Sequence, residues 1–283
     1  MTEPSSRLVG ILLLYYPPYA TEAIQRFAAI LNAISADNVL VIVKNQNFGL
    51  PVPVAHTGSV HLIDGDNSLR EFSGWQAGLD YCHQHAILRK DAVLVLANDT
   101  FCHHNKFGPI TQLAFVWSFK RLFRKPDQLA MSGEMFGSAA TFNIAGLTYS
   151  HWVSSYLFAI TAPLVDKLGR LTPPFDLNLC FTQQAEPDRF MTGPLSLNLT
   201  RHIAAWLFGQ VSSAKWKESQ ALSPLNQPQF IGKAKSILCE MYLSANVESV
   251  GGTLVPVFDS GPVRQLRRLE RLLPKYRQAG KPV

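Results

Sequence analysis

Apolar residues in this chain fall into short unbroken runs separated by stretches of helical period. Residues 9–15 form a continuous apolar run, as expected for a strand covered on both faces. Pro17 and Pro18 stop it. Beyond Thr21, a potential cap, Ile24, Phe27, Ala28, Leu31 and Ile34 recur at helical spacing. A second buried strand is read over 39–43, a loop at Pro51 and Pro53, and a third strand over 60–63. A helix is read over 74–88 with Trp75, Leu79, Cys82 and Ala86 on one face, then a fourth strand over 92–97, a helix over 110–123 and a short strand at 129–131. Strand and helix alternate, which predicts an α/β domain with a mostly parallel sheet and right-handed crossovers.

The pattern changes near residue 145. Aromatic and small residues are mixed over 151–160, within an apolar stretch from 142 to 168, and the stretch reads as buried helix. Residues 185–228 read as irregular structure with a helix near 202–208. A helix over 231–245 and a late strand over 254–258 follow. The last segment, 259–283, carries Val263, Leu266, Leu269, Leu272 and Leu273 at helical spacing with arginines between them. Such a basic amphipathic helix either lies in an anionic membrane interface or docks on the body with its charges solvated.

Composition narrows the class. Of 283 residues, 47% are hydrophobic and 16% charged, an ordered globular composition. The net charge of +6 is concentrated at the end, in Arg264, Arg267, Arg268, Arg271, Lys275, Arg277 and Lys281, opposed by Glu270. The body is close to neutral, so no nucleic-acid partner is expected. The four cysteines, Cys82, Cys102, Cys180 and Cys239, show no CxxC spacing. Reduced thiols and a cytoplasmic location are expected.

The chemistry collects where strands stop. The third strand gives way to Asp64-Gly65-Asp66-Asn67-Ser68-Leu69-Arg70-Glu71-Phe72-Ser73-Gly74-Trp75, and the fourth ends on Asn98-Asp99-Thr100. Ligands of open α/β sheets bind at carboxyl ends of strands, so these segments predict a nucleotide or metal–nucleotide site. Asp99 is the first candidate for diphosphate or metal contact, against a role capping the next turn. Asp66 and Asn67 are candidates for base or ribose contact, against an Asx turn. Arg70 is suited to a phosphate, against a salt bridge with Glu71 or another acid. Tyr16, Pro17 and Asn45, at the ends of the first two strands, could frame the base. The adjacent His103 and His104 read as a polar loop over the site, and neighbouring histidines seldom share an ion.

Several motifs carry a family resemblance. The segment from Asn67 to Leu79 resembles an "N-x-G-R-[DE]-F-x-[GA]-[WY]-x-x-G-L" element of rhamnan-synthesis-F-type glycosyltransferases, relatives of the family 2 enzymes with the GT-A fold. Asn98-Asp99-Thr100 with Phe107-Gly108-Pro109 is similar to their "N-D-S…G-P". Ser154-Ser155-Tyr156-Leu157-Phe158 resembles a "Q-S-Y-F" helix, and Cys239-Glu240-Met241-Tyr242-Leu243-Ser244 a late "Y-E-x-x-L-S". Leu69 stands where glycine is usual, and one acid stands where a DxD has two.

The resemblance implies a GT-A-like Rossmann-type sheet with a helical C-terminal extension. Residues 1–145 would bind the nucleotide sugar and 146–258 would shape the acceptor side. It implies transfer of a sugar from a nucleotide-diphosphate donor to a polysaccharide or lipid-linked glycan, by inverting single displacement, at the inner face of the membrane. Asn98 and Asp99 would meet the donor, and Asp99 would hold a divalent cation, Mn²⁺ or Mg²⁺. The base that deprotonates the acceptor would be Glu134, with Glu240 and Asp188 as runners-up. The alternative is a non-catalytic member of the fold that binds a nucleotide sugar or glycan in an assembly complex.

Overall fold

The computed structural model describes residues 8–46, 49, 56, 58–184, 186–209 and 220–272. The readings placed on Pro51, Pro53, Leu273, Lys275, Arg277 and Lys281 fall outside these residues.

Seven strands form one sheet: β1 (Leu8–Leu14), β2 (Asn38–Lys44), β3 (Ser59–Asp64), β4 (Val93–Asn98), β5 (Ala130–Ile144), β6 (Leu147–Thr161) and β7 (Thr253–Pro256). Their spatial order is β3-β2-β1-β4-β6-β5-β7. The pairs β1–β2, β1–β4, β2–β3 and β5–β7 are parallel, whereas β6 runs against both β4 and β5. The α/β, Rossmann-type, mostly parallel sheet is as the sequence leads one to expect.

The helices are α1 (Pro17–Ile34), α2 (Glu71–Gln84), α3 (Pro109–Phe123), α4 (Ala162–Leu168), α5 (Leu197–Phe208), α6 (Gln227–Ser249) and α7 (Gly261–Leu272). Strand side chains alternate between two cores. Val9, Ile11 and Leu13 join α2, α4, α5 and α6 on one face of the sheet. Leu8, Leu12 and Leu14 join α1 and α3 on the other, where α7 packs along α3. Close approach of α2 to the sheet depends on glycine: a Cβ on Gly74 would stand 1.9 Å from Leu13 Cδ1, and one on Gly78 would stand 2.6 Å from Ile11 Cγ2.

Four local expectations are corrected. Residues 151–160, read as helix, are the centre of β6, and the resembling helix at Ser154–Phe158 is strand as well. Both faces of β6 are covered and every residue from Ser155 to Thr161 is buried, so no alternation betrays the strand. The short strand at 129–131 is the start of the fifteen-residue β5. Thr21 lies inside α1, because Pro17, with its fixed φ and missing N–H, already suits a first helical turn. The helix near 202–208 begins earlier, at Leu197, where the Ser196 hydroxyl accepts from the Leu199 N–H.

Candidate active site at the strand ends

Consecutive strands β1, β2 and β3 lead to one side, and the chain crosses back so that β4 lies on the other side of β1. The crevice above such a reversal is where open α/β sheets bind ligands. Most of the residues predicted from the sequence gather there.

Asp99 is 1% exposed. Its Oδ2 accepts from the backbone N–H groups of Tyr15 and Tyr16, at 2.7 and 2.6 Å, and so ties the end of β4 to the turn into α1. Its Oδ1 is buried and unpartnered among the described residues. Burial pushes the carboxyl up to about 6, against the pull of the two N–H donors, and the Glu71 charge adds to the rise. Asn98 Oδ1 accepts from the Thr100 N–H and hydroxyl, closing the turn that follows.

Asn45, at the end of β2, spans the gap to the loop before α2. Its Nδ2 donates to Asn67 Oδ1 at 3.1 Å and to the Arg70 carbonyl at 2.9 Å. Asn67 and Arg70 both hold positive φ, 55° and 54°. The Asn45 knot holds that uncommon backbone in place. A Cβ on Gly65 would come within 2.0 Å of Asn45 Oδ1, so this corner also requires glycine. Asp66 turns to solvent, where Oδ1 accepts from the Ser68 N–H and hydroxyl. That backbone bond holds its carboxyl below the usual range. This is the Asx-turn geometry, and Asp64 pairs with Lys44 at 3.0 Å.

Arg70 is half-buried at the start of α2. Glu71, its expected alternative partner, accepts instead from the Ser236 hydroxyl of α6 at 2.6 Å. Among the described residues no acid lies within ion-pair reach of Arg70. Its guanidinium lies over Gly232 of α6, where a Cβ would stand 3.6 Å from Nε and Nη2. An unpaired fork of donors beside a helix N-terminus is suited to an anion.

Glu240, also on α6, reaches β6. Its Oε2 accepts from the Ser155 N–H at 2.7 Å and the Ser155 hydroxyl at 2.6 Å. Ser155 lies in an irregularity of β6, where the pairing with β5 shifts between Gly133 and Met135, two residues beyond the Leu157–Ala97 pair with β4. Burial raises the Glu240 carboxyl above the ordinary range. The Ser155 donors and Lys233 oppose the rise, and Glu71 adds to it. The Glu71 charge thus adds to the rise of both the Asp99 and the Glu240 carboxyls.

Tyr16 and Pro17 are exposed at the crevice mouth. Tyr16, Tyr19, His103 and His104 form an aromatic group in which Tyr19 stacks on His103 at 4.1 Å. The histidine loop therefore does overlie the end of β1.

Two candidates lie elsewhere. Glu134, on β5, projects to the α3 side of the sheet and is 6% exposed. Arg267 of α7 grips both its oxygens at 2.6 Å, and Tyr156 donates to Oε2 at 2.5 Å. A carboxylate so fully engaged has no oxygen left for a substrate proton. Asp188 sits on a single 3-10 turn (Pro187–Arg189) and lines a cavity of about 220 Å³ with Met191, Leu197, Thr200, Arg201 and Ala204. None of the strand-end residues lines that cavity.

The donor set does not build a cation site. One Asp99 oxygen serves backbone N–H groups, the other is shut away from solvent, and no group of three or more His, Cys, Asp or Glu among the described residues could hold a metal ion. The thiols of Cys82 and Cys102 are pushed up to about 12 by burial, so they are inert. No described helix is long and apolar enough to cross a membrane.

The sequence missed the reach of Glu71 to Ser236 and of Glu240 to Ser155. Both acids stood within the resembling motifs, but no local pattern announced these contacts.

No family model matches this chain, and no curated protein does. A solved structure described as the crystal structure of 4-diphosphocytidyl-2C-methyl-D-erythritol synthase is similar over 92% of this chain and 97% of that one, at 11% identity and a TM-score of 0.38. A likeness so loose does not bear on function.

Proposed function

We propose that the strand-end crevice binds a nucleoside-diphosphate sugar and that the protein transfers the sugar to a glycan hydroxyl, on a polysaccharide or lipid-linked acceptor. The observation that carries this reading is Arg70. Its guanidinium has no acid partner among the described residues and lies over Gly232 of α6, and its backbone carbonyl, at the start of α2, accepts from Asn45 at the end of β2. Arg70 with the α2 amides supplies the countercharge for the diphosphate, and Tyr16 with Pro17 offers a surface for the base.

Glu240 is the base. One of its oxygens is oriented by Ser155, the other has no hydrogen bond among the described residues, and its carboxyl is raised toward the range useful at neutral pH. It takes the proton of the acceptor hydroxyl as the oxygen attacks the anomeric carbon, and the nucleoside diphosphate departs. Asp99 holds the β1–α1 turn beneath the donor, and no step passes through a cation.

Incubating the protein with sugar-labelled UDP, dTDP, GDP and CDP donors and separating the products by mass tests this. Release of one nucleoside diphosphate, lost in Glu240→Gln, supports it. A second reading, a non-catalytic binder of the same ligand, is favoured by the commitment of Asp99 to backbone donors. Donor binding without turnover, in the presence of glycan acceptors, would leave that reading standing.

A further inference from the structure

The amphipathic C-terminal helix docks with its charges inward. Arg267 is 9% exposed, paired with Glu134 and lying 3.7 Å over the Phe258 ring. Glu270 is 1% exposed and caps α3, accepting from the N–H groups of Ile110 and Thr111 and from the Thr111 hydroxyl. These two buried charges fix the rotation of α7. The consequence is that Leu266, Leu269 and Leu272, the apolar stripe of the helix, face outward with exposures of 48%, 60% and 66%.

The neighbouring α3 does the same. Its Leu113 and Trp117 are 67% and 59% exposed. A soluble helix pair normally turns such residues inward. The charges around them are mainly positive. Arg264 and Arg268 of α7 are exposed, as are Arg121, which lies over the Trp117 ring, and Arg124 just after α3. Helix α3 contains no acid, and the acid of α7, Glu270, is buried. Of the exposed acids near the pair, Asp259 is already held by Arg121, and Asp127 lies beyond the end of α3.

We infer that the α3–α7 pair is a docking surface for an anionic phospholipid bilayer. The leucines and Trp117 enter the interface, and the arginines meet lipid phosphates while their stems cover apolar surface. An aromatic and leucine face rimmed by arginines, with Asp259 already engaged by Arg121, is complementary to such a surface. A protein partner with mixed charge would leave those arginines partly opposed. The end of α7 lies against Gly108, which follows the loop leaving β4, so docking would bring the strand-end crevice close to the lipid. This inference stands independently of the nucleotide reading.

The test is flotation of the full chain with vesicles of phosphatidylcholine alone or mixed with phosphatidylglycerol, alongside light scattering of the free protein. Wild type should float with the anionic vesicles and not with the neutral ones. The paired substitution Leu266→Gln and Leu269→Gln, at exposed positions that leave Arg267 and Glu270 intact, should lower binding about tenfold or more, as should Arg264→Glu with Arg268→Glu. Unchanged thermal unfolding of both variants shows that the loss is at the surface. Failure of wild type to float overturns the inference. So does flotation undiminished by the glutamines. A wild-type dimer that the glutamines dissociate, with no flotation, would assign the face to a second copy and overturn it equally.

Discussion

Glu240 of α6 accepts both the N–H and the hydroxyl of Ser155, at 2.7 and 2.6 Å, and thereby brings a carboxylate from the last long helix to the middle of β6. A residue that is ordinary in the sequence becomes, through this reach, a desolvated and oriented acid. Replacing Glu240 by Gln should leave nucleotide binding within about twofold and lower transfer by about a hundredfold or more, the range expected for loss of a general base. Steady-state kinetics beside a binding isotherm separates these effects, and near-normal turnover would exclude Glu240.

Ser155 should act through Glu240. Its hydroxyl stabilises the charged carboxylate, so Ser155→Ala should raise a carboxyl already displaced upward by burial. A base must be deprotonated to act, so the acid limb of kcat/KM should lie above the ordinary glutamate range in wild type and move to still higher pH in Ser155→Ala. A limb that does not move would make the Ser155 contact structural only.

Asp99 makes a prediction about stability. Its carboxyl sits at about 6 in the folded protein and is ordinary in the unfolded chain. The folded state therefore binds this proton more tightly, and the associated stability is present below pH 4 and lost as pH rises through 6. The change is on the order of 2–3 kcal/mol. Asp99→Asn should flatten this slope in denaturant titrations across pH 4 to 7. Asp99→Ala instead leaves the Tyr15 and Tyr16 N–H groups without their acceptor and should cost about 2–4 kcal/mol.

The Glu134–Arg267 pair should prove structural. Arg267→Met leaves a buried carboxylate without its guanidinium and should destabilise by about 3–5 kcal/mol, with partial recovery when Glu134→Gln is added. Calorimetry of the two single variants and the double closes the cycle. Glu134→Gln, measured on its folded fraction, should retain transfer; its abolition there would return Glu134 to the list of bases.

The first half of the fold was legible because β1, β2 and β4 are nearly continuous apolar runs rich in Val, Leu and Ile, each followed by a proline or by polar residues. The reading failed at β6, a strand between two partners with both faces covered, whose aromatic and small residues carry no period. At α7 the leucine stripe suggested either a membrane-interface helix or one docked with its charges solvated. The buried demands of Glu134 and of the α3 N-terminus turned the helix the other way. For the site, strand-end positions pointed to Asn45, Arg70 and Asp99. The grip of Arg267 on Glu134 joins residues 133 positions apart, and no local pattern announces it.

The proposed transferase depends on a diphosphate contact at Arg70. Isothermal titration of UDP, dTDP, GDP and CDP into wild type and Arg70→Ala tests it most directly, with no activity required. One of these nucleotides should bind wild type, and Arg70→Ala should weaken it by about ten- to a hundredfold, the worth of a charge-assisted contact. Thermal unfolding of the variant should be unchanged, since Arg70 has no acid partner among the described residues to lose. No binding by any of the four, or equal binding by Arg70→Ala, would contradict it.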